Sequence, residues 1–450
     1  MDLRNKKVTV VGLGASGLAS ALLLDENEAI VFATDSSDSE PVRKNASFLK
    51  KKYIETEIGR HTESFLEGTE LFVVSPGVDK DSTPICYALK NNVPVISEIE
   101  LGCYFCRGPI IAVTGTNGKS TVVSLLGKIL AAAGKPFNVC GNIGKAFTGE
   151  VKNITKETFV ILEVSSFQLE RIETFRPLIS VILNITEDHM DRYRSFKDYE
   201  DVKKRIFKNQ KDNDITILNY DLLKKMSPPR PFCRTFYFSA EKKVEGAYKA
   251  DGAVNVFLRN KEKKLFNLDN LNLKGEHNTE NILAATLVAL LIDVDAGLIE
   301  KVIKDFKPLS HRFETLREVG GVEFINDSKA TNIDSTRRAL KSLEKKAVLI
   351  AGGKDKALSY EEIVPSLKKH VKSLVLIGET KEKIKKALKN AVPLVECNTM
   401  EDAVGEGYRL AGKGGCVLLS PMCASFDMFA NYKERGEAFK RAVEKLRNKS

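Results

Sequence analysis

The sequence predicts an α/β protein of three domains, each built on a parallel sheet, and three observations predict it. Lys7–Val11 is an apolar strand that runs into Gly12-Leu13-Gly14-Ala15-Ser16-Gly17; a helix begins over Leu18 to Leu24, and a second strand at 29–33 ends near Asp35. A second strand, turn and helix unit runs from Ile110 to Thr121. From about Pro308, strands at 322–325, 347–351, 374–377 and 416–419 alternate with helices. Alternation of this kind buries a parallel sheet between helical layers. At 450 residues the chain is too long for one core, and a length prior favours about three domains. The expected boundaries are 1–107, 108–307 and 308–450, with Arg107-Gly108-Pro109 as a linker.

The first unit reads as a Rossmann-like βαβ start, with Asp35 roughly where a ribose hydroxyl needs an acceptor. Taken alone it suggests a nicotinamide site; the plain alternative is a glycine turn that serves only helix packing. Further strands at 71–74 and 93–96 follow, the first ending in Ser75-Pro76-Gly77, a second small-residue loop at a carboxyl end.

The second unit carries a phosphate loop. Ile110, Ile111, Ala112 and Val113 form a buried strand, Gly115 and Gly118 free backbone amides for an anion, and a helix opens at Lys119 with apolar positions Val122, Val123, Leu125, Leu126, Ile129 and Leu130. Lys119 reaches terminal phosphates, and Ser120 or Thr121 suits Mg²⁺. Val113 stands where the Walker pattern has its first glycine, so the motif is a shortened GxxGK[ST]. ATP is the expected occupant. A strand at 158–162 ends at Glu163 and one at 179–183 ends at Asn184; of the two, Glu163 is the expected magnesium-ligating carboxylate.

Other features are weaker when read alone. His189 lies among acids in Thr186-Glu187-Asp188-His189-Met190-Asp191, as either a metal ligand or a loop residue. Composition makes Lys203-Lys204-Arg205 a solvated basic face, and makes 214–273 a polar, sheet-prone stretch. Asn278 and Asn281 are one turn apart at a helix start, where an N-cap is the simpler reading. Four polar clusters lie on loops of the third unit, at 310–313, 326–332, 352–356 and 420–427, and suit carboxylate or phosphate recognition. The formal charge of +10 is spread along the chain without basic blocks, which argues against nucleic acid and fits anionic small substrates. There is no signal-peptide pattern and no apolar run of membrane-spanning length, so a cytoplasmic location is expected. The eight cysteines are scattered, as reduced thiols are; Cys103 and Cys106 form the one CxxC, for which neither a metal nor a redox role is expected.

Taken together, GTNGKST at 115–121, GNIG at 141–144, EVSSFQLE at 163–170, TEDHMDRY at 186–193, GEHNTEN at 275–281, HRFE at 311–314, NDSKATN at 326–332 and SPMCASFD at 420–427 resemble the Mur ligase family of peptidoglycan synthesis. SSFQLE, NDSKATN and the last motif resemble its D-glutamate-adding branch most. The resemblance implies an ATP-dependent amide ligase joining D-glutamate to UDP-N-acetylmuramoyl-L-alanine, acting as a monomer, with no nucleic-acid partner and no membrane insertion. It implies that the first domain holds UDP through Ser16, Asp35, Ser36 and Gly77, with Asn142 on substrate or phosphate. Gly115, Thr116, Asn117, Gly118, Lys119, Ser120 and Thr121 would bind ATP, with Asn278 and Asn281 on adenine and Arg312 and Asp327 on the rest of the nucleotide. Ser120 or Thr121 and Glu163 would hold one Mg²⁺, and His189 a second, together with a carbamate formed from CO2 on Lys203. Lys329, Thr331, Lys356, Ser425 and, more weakly, Tyr432 would meet the amino acid. Three other readings compete: a nicotinamide oxidoreductase, which leaves GTNGKST unexplained; a nucleotide-regulated binding protein, which leaves Glu163, His189 and Lys203 unexplained; and a folylpolyglutamate-type ligase, which should lack the first domain.

Overall fold

The computed structural model describes residues 2–223, 232–269, 271–273, 275–356, 358–388 and 391–446. Residues 224–231, part of the stretch expected to be sheet-prone, lie outside it. The chain folds as two compact units: one comprises the residues up to Asn184 with Tyr199–Asn267 and Ile282–Val302; the other comprises Ile185–Asp198, Leu268–Asn281 and the residues from Ile303 onward.

The first unit contains two sheets. Strands β1 (Lys7–Val11), β2 (Ile30–Asp35), β3 (Glu55–Ile58), β4 (Leu71–Val74) and β5 (Val95–Ser97) form a wholly parallel sheet in the order 3-2-1-4-5. The order reverses between β1 and β4, and at such a point the two following loops diverge and leave a crevice at the carboxyl ends. The helix after β1 starts at Ala15, three residues before the apolar pattern begins, because Gly14 already serves as its N-cap. β3 has half-exposed, charged positions and no apolar run to announce it.

Gly17 is required by packing. A Cβ there would stand 1.7 Å from the Gly12 carbonyl oxygen, a backbone atom that cannot move aside, whereas a Cβ at Gly14 would meet nothing within 4 Å. Gly17→Ala is therefore expected to destabilise the fold by about 3 kcal/mol and Gly14→Ala by less than about 0.5 kcal/mol. Urea unfolding of the two variants checks this; equal losses would refute it.

The second sheet holds β6 (Ile110–Thr114), β7 (Phe137–Gly141), β8 (Phe159–Glu163), β9 (Ile179–Ile182), β10 (Ile215–Asn219), β11 (Arg234–Ser239), β12 (Gly246–Ala250), β13 (Ala253–Leu258) and β14 (Lys261–Asn267), in the order 14-13-12-11-10-9-6-8-7. From β7 through β12 every pairing is parallel; only the β12–β13 and β13–β14 pairings at the edge are antiparallel, so β13 alone runs against the rest. The helix Lys119–Ala132 packs on this sheet. Its six expected apolar positions are all fully buried, each worth roughly 1.5–3 kcal/mol relative to exposure.

Two carboxylates of the helix Glu98–Phe105 tie the sheets together. Glu98 accepts from the Thr148 amide at 2.7 Å and its hydroxyl at 2.9 Å. Glu100 accepts from the amides of Glu173, Thr174 and Phe175 at 3.0, 2.7 and 2.9 Å. Burial raises the Glu98 carboxyl above its ordinary range, against the lowering effect of the Thr148 bonds. These contacts hold the crevice of the first sheet at a set place relative to the second.

In the other unit, β15 (Glu314–Val319), β16 (Val322–Asn326), β17 (Ala347–Ala351), β18 (Val371–Leu376), β19 (Leu394–Glu396) and β20 (Cys416–Leu419) form a sheet in the order 15-16-20-17-18-19. It is parallel except for β15, an antiparallel edge strand with three exposed positions, too polar to be seen as a strand in the sequence. No helix among the described residues is long and apolar enough to cross a membrane.

Candidate active site

The crevice between β1 and β4 is a cavity of about 750 Å³ lined by Ser16, Asp35, Ser36 and Gly77, so the structure gathers these four predicted residues in one place. Gly14 leaves the N-terminus of the helix Ala15–Glu26 without a side-chain cap, and Gly14, Ala15 and Ser16 line the cavity, an end of positive polarity that favours an anion. Asp35 does more than await a hydroxyl. Its two oxygens accept from the Leu13 amide at 2.7 Å and the Ser37 amide at 2.8 Å, bracing the glycine turn.

The phosphate loop sits at the end of β6, the third strand in from the β7 edge of the second sheet. Gly118 caps the following helix at φ +88°, a left-handed conformation that suits glycine. Lys119 folds back over the loop, its Nζ donating to the carbonyls of Gly115 at 2.7 Å and Thr116 at 2.9 Å. Ser120 and Thr121 are buried in the first helical turn. Asn184, at the end of β9, accepts from the Asn117 amide at 2.8 Å, donates to its carbonyl at 3.0 Å and takes the Thr116 amide on its own carbonyl at 2.9 Å. Sequence reasoning placed Asn184 at a strand end but gave it no role; three bonds to one loop define that role as shaping. Tyr199, whose hydroxyl lies 3.2 Å from Thr116 Oγ1, carried no signal at all.

Glu163 ends β8 beside the loop and is 3 % exposed. Asn142 Nδ2 donates to its Oε1 at 2.8 Å, while Oε2 is buried without a hydrogen-bond partner. An orphaned carboxylate oxygen costs free energy unless something positive meets it. A divalent cation is a group of the charge this acceptor calls for. In the same motif, Ser165 and Gln168 form a capping box, so part of EVSSFQLE serves the start of a short helix.

Lys203 corrects the compositional reading. It is 2 % exposed and far from a solvated face; its Nζ donates to the Gly115 carbonyl at 3.0 Å and lies 4.7 Å from the centre of the Tyr199 ring. Its neighbour Lys204 pairs with Glu200, and Arg205 donates to the carbonyls of Leu169 and Ile172. The basic triplet is thus spent on internal contacts, because the helix Phe196–Lys204 turns Tyr199, Glu200 and Lys203 inward.

In the other unit, His189 has φ +58° and Nε2 3.7 Å from Asp188 Oδ2. Asp188 also accepts from Lys356 Nζ at 2.9 Å and Asn332 Nδ2 at 3.1 Å. Burial alone would raise the Asp188 carboxyl, but Lys356, His189 and these bonds bring it down to about 2. The structure therefore links His189 to Lys356 through Asp188, a residue the sequence did not single out. Asn278 and Asn281 lie inside the helix Glu276–Leu291, joined by a 3.3 Å side-chain bond, so the N-cap reading is overturned. Lys329 Nζ lies 4.2 Å from the centre of the Tyr432 ring. Thr331 and Arg312 are half-buried, and Ser425 is buried.

Asp327 accepts from Ser420 Oγ at 3.0 Å and the Phe313 amide at 3.1 Å, yet complete burial pushes its carboxyl up to about 7. The folded state then holds this proton more tightly than the unfolded chain does. The resulting stability is full below about pH 4 and is lost as pH rises through about 7. Asp327→Asn removes the titration. Relative to wild type, it should gain about 2–3 kcal/mol between pH 5 and pH 8; a constant difference in denaturant unfolding across that range would refute this.

Family models match almost end to end. The Mur ligase MurD-like N-terminal domain covers residues 6–97, the Mur ligase middle domain 113–289 and the Mur ligase glutamate ligase domain 311–423. A relative from Thermoanaerobacter sp. (strain X514), named UDP-N-acetylmuramoylalanine–D-glutamate ligase, is 42% identical over 453 residues, which is 99% of this chain and 100% of the relative. The chain belongs to the Mur ligase family. Solved Mur ligases share its three-domain fold: MurF from Acinetobacter baumannii has a TM-score of 0.62 at 15% identity, over 97% of this chain and 93% of its own. MurC from Thermotoga maritima has a TM-score of 0.58 at 18% identity, over 97% and 98%.

Proposed function

We propose that this Mur ligase joins D-glutamate to UDP-N-acetylmuramoyl-L-alanine at the expense of ATP, in the cytoplasmic synthesis of peptidoglycan precursors. The observation that carries the reading is the presence, in one unit, of a nucleotide-sized cavity at a sheet's switch point and a phosphate loop at the end of a parallel strand inside the adjoining sheet. The reading keeps the domain boundaries 1–107, 108–307 and 308–450 and takes the protein to be a monomer with small-molecule partners only.

In this reading Ser16, Asp35, Ser36 and Gly77 hold the UDP, and Asn142 meets the substrate. The amides from Gly115 to Thr121, with Lys119, cradle the ATP phosphates, while Asn278, Asn281, Arg312 and Asp327 hold the remainder of the nucleotide. The substrate's alanyl carboxylate is a poor electrophile. Its oxygen bonds the terminal phosphorus as the bond to the bridging oxygen breaks and ADP leaves. The amino nitrogen of D-glutamate then attacks the acyl carbon and loses a proton, and the tetrahedral adduct collapses with release of phosphate. Lys119 offsets charge developing on the transferred group. Lys329, Thr331, Lys356, Ser425 and Tyr432 orient the amino acid. Glu163 with Ser120 or Thr121 would hold one Mg²⁺, and His189 with a carbamate on Lys203 a second; such ions supply Lewis-acid neutralisation of phosphate charge.

The test is phosphate release from Mg·ATP with UDP-N-acetylmuramoyl-L-alanine, with and without D-glutamate. Release that needs both, with an amide product of matching mass, is expected. Release with a different amino acid only would transfer the reading to another member of the family's reaction series.

A further inference from the structure

Among the described residues, the cavity of the first sheet is lined by Asp35, Asp79 and Asp81 and by no lysine or arginine, and His61 is the one lining side chain able to carry positive charge. Such a lining is poorly suited to holding a diphosphate by side chains, which leaves the phosphates to the helix amides at Gly14 to Ser16 and gives His61 another task. Its Nδ1 lies 2.8 Å from the hydroxyl of Thr34, a fully buried residue. The same hydroxyl donates to the Arg60 carbonyl at 3.3 Å. A threonine hydroxyl has one hydrogen and a carbonyl only accepts, so both contacts are satisfied together when that hydrogen goes to Arg60 and the one between Thr34 and His61 belongs to Nδ1. His61 lines the cavity with Nδ1 turned to the buried Thr34, so in the neutral ring Nε2, on the opposite side of the imidazole, is a bare lone pair.

The charged groups around the ring are Asp35 at the end of β2, Glu57 on β3, Arg60 beside it, and Asp79 and Asp81 on the cavity wall. Burial lowers the imidazole's affinity for a proton and outweighs Asp35 and Glu57, which raise it, so the neutral ring is the working form near pH 7.5. A phosphodiester offers no hydrogen to a lone pair. A uracil ring does, through its imide N–H, whereas cytosine presents a second lone pair at that position.

We infer that His61 is a specificity-determining residue of the pocket, accepting a hydrogen bond at Nε2 from the imide N–H of uracil and rejecting cytosine. The inference rests on the reading of this cavity as the UDP site. It is tested by calorimetric binding of UDP and CDP to the full-length protein at pH 7.5. Wild type should favour UDP at least about tenfold, the equivalent of one buried hydrogen bond. His61→Phe should bring the two nucleotides to within about twofold by weakening UDP alone, and His61→Gln, which retains an acceptor, should recover part of the preference. Binding of UDP-N-acetylmuramoyl-L-alanine, whose diphosphate does not titrate in this range, should weaken from pH 7.5 to pH 5 in wild type and stay flat in His61→Phe, because protonated Nε2 has no lone pair. Equal weakening of UDP and CDP, or tighter binding on acidification that the Phe variant lacks, would overturn the inference. Failure of wild type to bind any uridine nucleotide would instead bring down the assignment of the cavity.

Discussion

Replacement of Lys203 by alanine is expected to lower turnover by on the order of 10³-fold while the protein still binds UDP-N-acetylmuramoyl-L-alanine. The buried Nζ donates to the phosphate loop itself, at the Gly115 carbonyl. As an ammonium it would repel a divalent ion held nearby, whereas the proposed carbamate is an anion on the same long arm, the ligand type that Mg²⁺ prefers. Lys203→Met fills the volume without a reactive nitrogen and separates chemistry from packing, so it should be as inactive as the alanine variant but more stable. Wild type supplied with ¹³C-bicarbonate should show a carbamate carbon signal that both variants lack. Turnover of Lys203→Met near the wild-type value would remove Lys203 from the mechanism.

Glu163→Gln should be folded and nearly inactive, with turnover reduced by about 10²-fold or more. The replacement is isosteric, and its amide oxygen can keep the 2.8 Å bond from Asn142. That arrangement puts an NH₂ group where the orphaned Oε2 now lies, a donor in place of an acceptor. A cation that met the carboxylate oxygen would face two hydrogens instead. The Mg²⁺ concentration for half-maximal rate should rise at least about tenfold, and chelation by EDTA should abolish the wild-type rate. An unchanged Mg²⁺ dependence would mean that Glu163 holds no metal and that its oxygen is satisfied in some other way.

The local pattern around the phosphate loop was readable because its signals are local. All six apolar positions in the helix Lys119–Ala132 follow helical periodicity, and all six are buried. The glycine turn after β1 was equally plain. Polar edge strands such as β3 and β15 were not, since they bury too few side chains to leave an alternating pattern. Asn278 and Asn281 show the limit of propensity. Asparagine favours caps, yet here a helix beginning at Glu276 carries both inside it, where their side chains bond each other.

By itself the sequence determined the α/β class, the phosphate loop, the switch-point turn and, through its motifs, the family. These depend on neighbours within a few residues or on spacing along one element. Only the tertiary structure decided that Lys203 is buried against Gly115 rather than solvated beside Lys204, that Asn184 clamps the loop, that Asp188 ties Lys356 to His189's segment, and that Thr34 orients His61. Each of those pairs is joined by a contact between residues distant in sequence or on different strand ends. A lysine in a basic triplet reads the same whether it faces water or a carbonyl; the difference lies in what the fold packs against it.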